Sequence, residues 1–181
     1  MIKKKLLLHS CCGPCSTSVI EKLKEDYNLT IFYYNPNIYP EEEYIKRLNE
    51  QIRYLNLSNQ DIVVIDGKYD DNEIFEQAYQ GLESCKEGGS RCEKCIYLRL
   101  KKTAEYAKNN NFDIFASTLS VSPHKNANLI NDLGIALQEE YKIDYLISDF
   151  KKQDGYLNSI KLSKQYDLYR QKYCGCKYSI Y

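Results

Sequence analysis

The 181-residue chain has no Trp, one Met and four Pro, and its charges balance at 25 Lys and Arg against 25 Asp and Glu. A zero formal charge excludes a protein that grips nucleic acid by bulk charge and leaves only a local basic patch for that purpose. The sequence also lacks any apolar run near the ~20 residues needed to cross a bilayer, which excludes a membrane-spanning protein. A secretion signal needs about 7–15 apolar residues. The basic N-terminus offers only Leu6, Leu7 and Leu8, so it reads as the first strand of a cytoplasmic protein. Internal repeats, low-complexity tracts and linkers are absent. With 43% hydrophobic and 28% charged residues, the chain has the composition of one globular domain large enough to fold alone.

Without Trp, the aromatic content falls mainly to 18 Tyr. Most are expected to be amphipathic cover for the core edge, with a minority free to stack on a base.

Eight Cys are present. An even count suits a secreted disulfide scaffold, but a chain of this length without an export signal does not need such staples. The thiols are grouped as Cys11-Cys12-Gly13-Pro14-Cys15, Cys92-x-x-Cys95 and Cys174-Gly175-Cys176, with Cys85 alone. Buried filler cysteines would scatter, so the grouping points to metal ligation or redox chemistry.

Apolar periodicity predicts strands over residues 5–10, 29–34, 62–65, 113–117 and 144–148. Helices are predicted over 16–26, 41–57, 72–82, 92–108 and 126–141. The run Glu41-Glu42-Glu43 suits the positive end of a helix dipole better than a binding site. The last thirty residues read as polar, Tyr-rich and mostly helical up to Tyr173, a C-terminal segment over about 150–181 packed on the domain. Strands alternating with helices imply an α/β fold, a parallel five-stranded sheet flanked by helices. Ligands of such sheets sit at the carboxyl ends of the strands, where the first cysteine group falls.

Pro14 suits a first helical turn. Ser90 and Glu93 match a capping box that would set Cys92 and Cys95 in the first turns of another helix. Two helix N-termini would then present four or five sulfurs to one volume, enough for a tetrahedral zinc or an iron–sulfur cubane. Competing readings are a thioredoxin-like dithiol oxidoreductase, from Cys12-Gly13-Pro14-Cys15, and a structural-zinc protein. Nucleotide activation is disfavoured because Pro14 removes an amide from the would-be phosphate cradle. A disulfide between Cys174 and Cys176 would close a small strained ring, which suits a catalytic or relay pair, with extra metal ligation as the alternative. Cys85, His9 and His124 read as incidental or structural.

The ordered motifs His9-Ser-Cys-Cys-Gly-Pro-Cys15, Tyr34-Asn-Pro-Asn-Ile38, Glu43-Tyr44 with Arg47, Gly89-Ser-Arg-Cys-Glu-Lys-Cys95, Leu98-Arg-Leu100, Ser122-Pro-His-Lys125, Asp149-Phe-Lys-Lys152 and Tyr169-Arg-Gln-Lys-Tyr-Cys-Gly-Cys176 resemble the cobalamin-independent epoxyqueuosine reductases of the QueH type. The resemblance covers nearly the whole chain. It implies a HUP-like, Rossmann-like α/β fold and removal of the epoxide oxygen of epoxyqueuosine at the tRNA wobble position, giving queuosine. It further implies a 4Fe-4S cluster held by Cys11, Cys12, Cys92 and Cys95, and a redox-active pair at Cys174 and Cys176. Beside the cluster it implies a mononuclear metal, iron or zinc, with Cys15 as a ligand. The expected partners are tRNA carrying epoxyqueuosine and an electron donor, with no membrane. In the tail, Lys161, Lys164, Tyr166, Tyr169, Arg170, Lys172, Tyr173, Lys177 and Tyr178 interleave cations with rings, a mixture that suits a single-stranded RNA loop or an ordinary solvated helix end.

Overall fold

A computed structural model of the chain describes residues 2–180. Five parallel strands, β1 (Lys4–His9), β2 (Tyr27–Tyr33), β3 (Val63–Asp66), β4 (Ile114–Ser117) and β5 (Asp144–Tyr145), form one sheet in the order β3-β2-β1-β4-β5. Six helices accompany them: α1 (Gly13–Leu23), α2 (Glu41–Leu57), α3 (Asn72–Tyr79), α4 (Ser90–Asn109), α5 (Ala127–Tyr141) and α6 (Gly155–Gln165). The α/β architecture with a parallel sheet agrees with the expectation from the sequence.

The short run Leu6-Leu7-Leu8 is wholly buried because β1 is the central strand and has helices over both faces; a strand covered on both sides reads as a continuous apolar run. Alternation sorts the side chains. Leu7, Phe32 and Phe115 pack towards α3, α4 and α5, whereas Leu6, Leu8, Ile31 and Ala116 pack with residues of α1 and α2, and α6 lies against α1. Each buried Leu contributes on the order of 1.5–3 kcal/mol, so β1 is the best-anchored strand. Its neighbours β2 and β4 lie on opposite sides. Chain order reverses between β1 and β4, and the crevice at such a switch point is where ligands bind in open parallel sheets.

Three expectations need correction. The capping box does not form: Gly89 is the N-cap of α4, in extended backbone, and no side chain caps it. The predicted strand over 144–148 stops at Tyr145, since Asn131 takes both the amide and the carbonyl of Ser148. The tail is helical only over Gly155–Gln165, followed much later by a 3-10 turn at Lys177–Ser179. Between them, arginines of α2 take the backbone carbonyls: Arg53 those of Tyr166 and Asp167, and Arg47 those of Tyr173 and Cys174. Long-range donors thus replace helical ones. Among the described residues, no helix is long and apolar enough to cross a membrane.

Candidate metal centre at the sheet switch point

β1 ends at His9, and the chain passes through Ser10 and Cys11 into α1, whose N-cap is Cys12. Gly13 permits a close approach there, since a Cβ would lie 3.0 Å from the carbonyl oxygen of Glu50 in α2. His9 is fully buried; burial, then the charge of Arg99, push its imidazole down to about 4. The neutral ring donates from Nε2 to the Tyr34 carbonyl at 3.0 Å and accepts at Nδ1 from Ser117 Oγ at 2.9 Å. It therefore ties together the ends of β1, β2 and β4, a structural role that matches the reading of His9 from sequence.

On this floor sits a compact sulfur triad. The Sγ atoms of Cys11, Cys12 and Cys15 all lie within 4.8 Å of one another, and Cys11 and Cys12 are 4.0 Å apart. A tetrahedral ion with metal–sulfur bonds of about 2.3 Å would hold its sulfurs roughly 3.8 Å apart, so the triad can bind a metal. Thiol hydrogen bonds from Cys12 and Cys15 hold Cys11 well below the usual thiol range; the same contact pushes Cys12 up to about 12 and Cys15 well above its ordinary value. Cys12 is completely buried and accepts a hydrogen bond at Sγ from Gln171 Nε2 at 3.1 Å. These are not the traits of an attacking thioredoxin-type thiolate, which is exposed and has a lowered pKa.

The second sulfur group comes from the first turns of α4 and from the tail. Cys92, Cys95, Cys174 and Cys176 line one cavity of about 150 Å³ together with Tyr79. Burial pushes both Cys92 and Cys95 up. The amide of Gly88 donates to Cys92 Sγ at 3.2 Å, Lys125 Nζ lies 3.7 Å from Cys174 Sγ, and Cys176 Sγ lies 3.6 Å from Ser179 Oγ. All eight cysteines are free thiols. Cys11, Cys15 and Cys174 line a larger cavity of about 530 Å³. Cys174, Arg99 and Lys125 line both cavities, which brings the two sulfur groups to one neighbourhood. Cys92 and Cys95 are not members of the tight triad, and Cys85 lines neither cavity.

Arg99 and Lys125 fall in two of the motifs quoted from the sequence, but no role was assigned to either there. Arg99 is only 3% exposed, and among the described residues neither cation pairs with a carboxylate. Burial alone would lower both. The sulfurs of Cys95, Cys174 and Cys11 outweigh it at Arg99, and those of Cys174 and Cys11 do so at Lys125, so both are raised. Arg99 Nε donates to the Cys95 carbonyl at 3.3 Å, and a buried cation without a carboxylate partner calls for anionic company. Thiolates from two helix N-termini, balanced by two interior cations, are a donor set that fits an iron–sulfur cluster. The signal was legible at Arg99, one turn beyond Cys95 on the same face of α4.

A family model described as epoxyqueuosine reductase QueH matches residues 6–181. Among curated proteins, the chain is 42% identical over 182 residues to an epoxyqueuosine reductase QueH of Streptococcus pyogenes serotype M1, covering 98% of this chain and 71% of the relative. It is 43% identical to one of Acinetobacter baylyi, covering 97% and 80%. To one of Thermotoga maritima it is 34% identical, covering 97% and 90%.

Proposed function

The chain belongs to the QueH family of epoxyqueuosine reductases, and from that premise we propose that it removes the epoxide oxygen of epoxyqueuosine in tRNA. The reaction takes two electrons and two protons, releases the oxygen as water and leaves an alkene. Cys11, Cys12, Cys92 and Cys95 would hold a 4Fe-4S cluster, Cys15 would be a ligand of an adjacent iron or zinc, and Cys174 with Cys176 would be the redox-active pair. When bound, the cluster supplies electrons singly and the adjacent metal a Lewis acid for the epoxide oxygen.

The chain's own residues do the rest. Arg99 and Lys125 offset the negative charge gathered on sulfur. His9 fixes the strand ends beside Cys11. The larger cavity has the volume for one modified base splayed from the anticodon stack, and Tyr156, Arg170, Lys172 and Tyr173 contribute to its wall. The observation that carries this reading is the meeting of two cysteine groups around the same two cations, Arg99 and Lys125, at the switch point.

Anaerobic purification tests it. The expected result is a brown protein whose visible absorption bleaches with dithionite and which converts epoxide-bearing tRNA. Serine at Cys11, Cys12, Cys92 or Cys95 should abolish the colour, serine at Cys174 or Cys176 should retain colour and lose turnover, and serine at Cys85 should change neither. A colourless protein holding one tight zinc and inert towards that tRNA overturns the proposal.

A further inference from the structure

Gln171 belongs to the tail, yet its side chain reaches the floor of the site. Its Nε2 donates to Cys12 Sγ at 3.1 Å. The other end of the same amide, Oε1, is shielded from solvent and has no hydrogen-bond partner, while the residue lines the larger cavity. Buried polar atoms without partners are uncommon in folded proteins and call for an explanation. A ligated thiolate can only accept hydrogen bonds, so the sulfur decides which way the amide faces: nitrogen to Cys12, which leaves the oxygen as the end without a partner.

The backbone that presents this amide is pinned on both sides. Before it, the Tyr169 hydroxyl donates to the Glu43 carboxylate, and Arg170 Nη1 donates to Ser163 Oγ at 3.0 Å. After it, Arg47 holds the carbonyls of Tyr173 and Cys174, and the Tyr173 hydroxyl donates to the Tyr39 carbonyl at 2.6 Å. An acceptor fixed before the ligand arrives loses little freedom on binding.

We propose that Gln171 is a specificity-determining residue with two duties: its Nε2 tunes the reduction potential at Cys12, and its Oε1 accepts a hydrogen bond from an O–H or N–H donor of the modified base beside the epoxide. The inference rests on the function proposed above. One amide thereby couples recognition of the substrate to the electron source. Hydrogen bonds to a ligating sulfur delocalise its charge and favour the reduced state. A shielded acceptor rewards a donor and penalises its absence.

Two variants separate the duties. Gln171→Met keeps the length and removes both polar ends. It should shift the midpoint potential to more negative values in an anaerobic visible titration. It should also weaken binding of an anticodon stem-loop RNA bearing epoxyqueuosine about tenfold, with KM rising in step. Gln171→Glu keeps an acceptor and loses the donor, so its potential should fall while its KM stays within about threefold of wild type. Wild-type potential and RNA affinity in Gln171→Met overturn the proposal. So does a KM for Gln171→Glu as high as that for Gln171→Met. If Gln171→Met does not fold, a wild-type potential in Gln171→Glu still overturns it. A wild-type protein that carries no cluster instead overturns the proposed function, so the two failures are distinct.

Discussion

The guanidinium of Arg47, only 2% exposed on its side chain, donates from Nη1 to the carbonyl of Cys174 at 3.1 Å while Nε pairs with Glu43 at 2.7 Å. One side chain of α2 thus fastens the segment bearing Cys174 and Cys176 to the body of the fold.

Arg47→Met should therefore be strongly destabilising. It leaves Glu43 without its cation and two carbonyls without donors, a loss of about 3–5 kcal/mol for a broken buried pair. Urea unfolding measures it, and limited proteolysis should cut the tail first. Arg47→Lys should recover little, because one ammonium cannot serve three acceptors in a fixed fork. Wild-type stability in Arg47→Met would refute the strap.

Gly175 has φ +129°, a conformation that side-chain-bearing residues rarely adopt, and a Cβ there would lie 3.0 Å from Ile38 Cγ1 and 3.1 Å from Arg47 Nη1. Gly175→Ala should cost on the order of 1–3 kcal/mol and disturb the 2.8 Å hydrogen bond from the Tyr39 amide to the Gly175 carbonyl. The expected signature is a lowered denaturant midpoint with an unchanged m value.

Arg99→Met should remove the interior charge that faces Cys95, Cys174 and Cys11. The midpoint potential should become more negative by about 60 mV or more, the one-electron equivalent of roughly 1.4 kcal/mol. A potentiometric titration at fixed iron content reads this directly, and no shift would show that the guanidinium does not sense the reduced centre.

How much of this was legible in the sequence differs by element. α2 was placed correctly over Glu41–Leu57 because its acidic start and apolar spacing are local signals. The grouping of cysteines at strand and helix ends was likewise readable from spacing. The tail was not, because its backbone partners are Arg47 and Arg53, over a hundred residues away in sequence. Four tail tyrosines proved to be part of the internal packing: Tyr166 on Tyr54, Tyr169 under Lys46, Tyr173 beside Arg47 and Tyr178 against Tyr79 and Arg91. The composition of the tail therefore suggested more stacking surface than remains free.

Beyond the cavity wall, where Tyr156 and Tyr173 stand, what remains for RNA in that segment is charge. Lys161, Lys164 and Lys172 are exposed, and Lys172 also lines the larger cavity. Binding of tRNA should weaken steeply with salt, and Lys172→Ala should make the slope of log affinity against log salt shallower by about 0.7–0.9, the share of one phosphate contact. An unaltered slope would take Lys172 away from the phosphates.

Cys12 is fully withdrawn from the medium, whereas Cys11, Cys15 and Cys92 retain some access. Dioxygen and peroxide diffusing inward meet the outlying thiols first and the innermost last. Oxidative injury to this protein should accordingly run from rim to floor, and while only the rim has been oxidised the sulfur beneath Gln171 stays reduced.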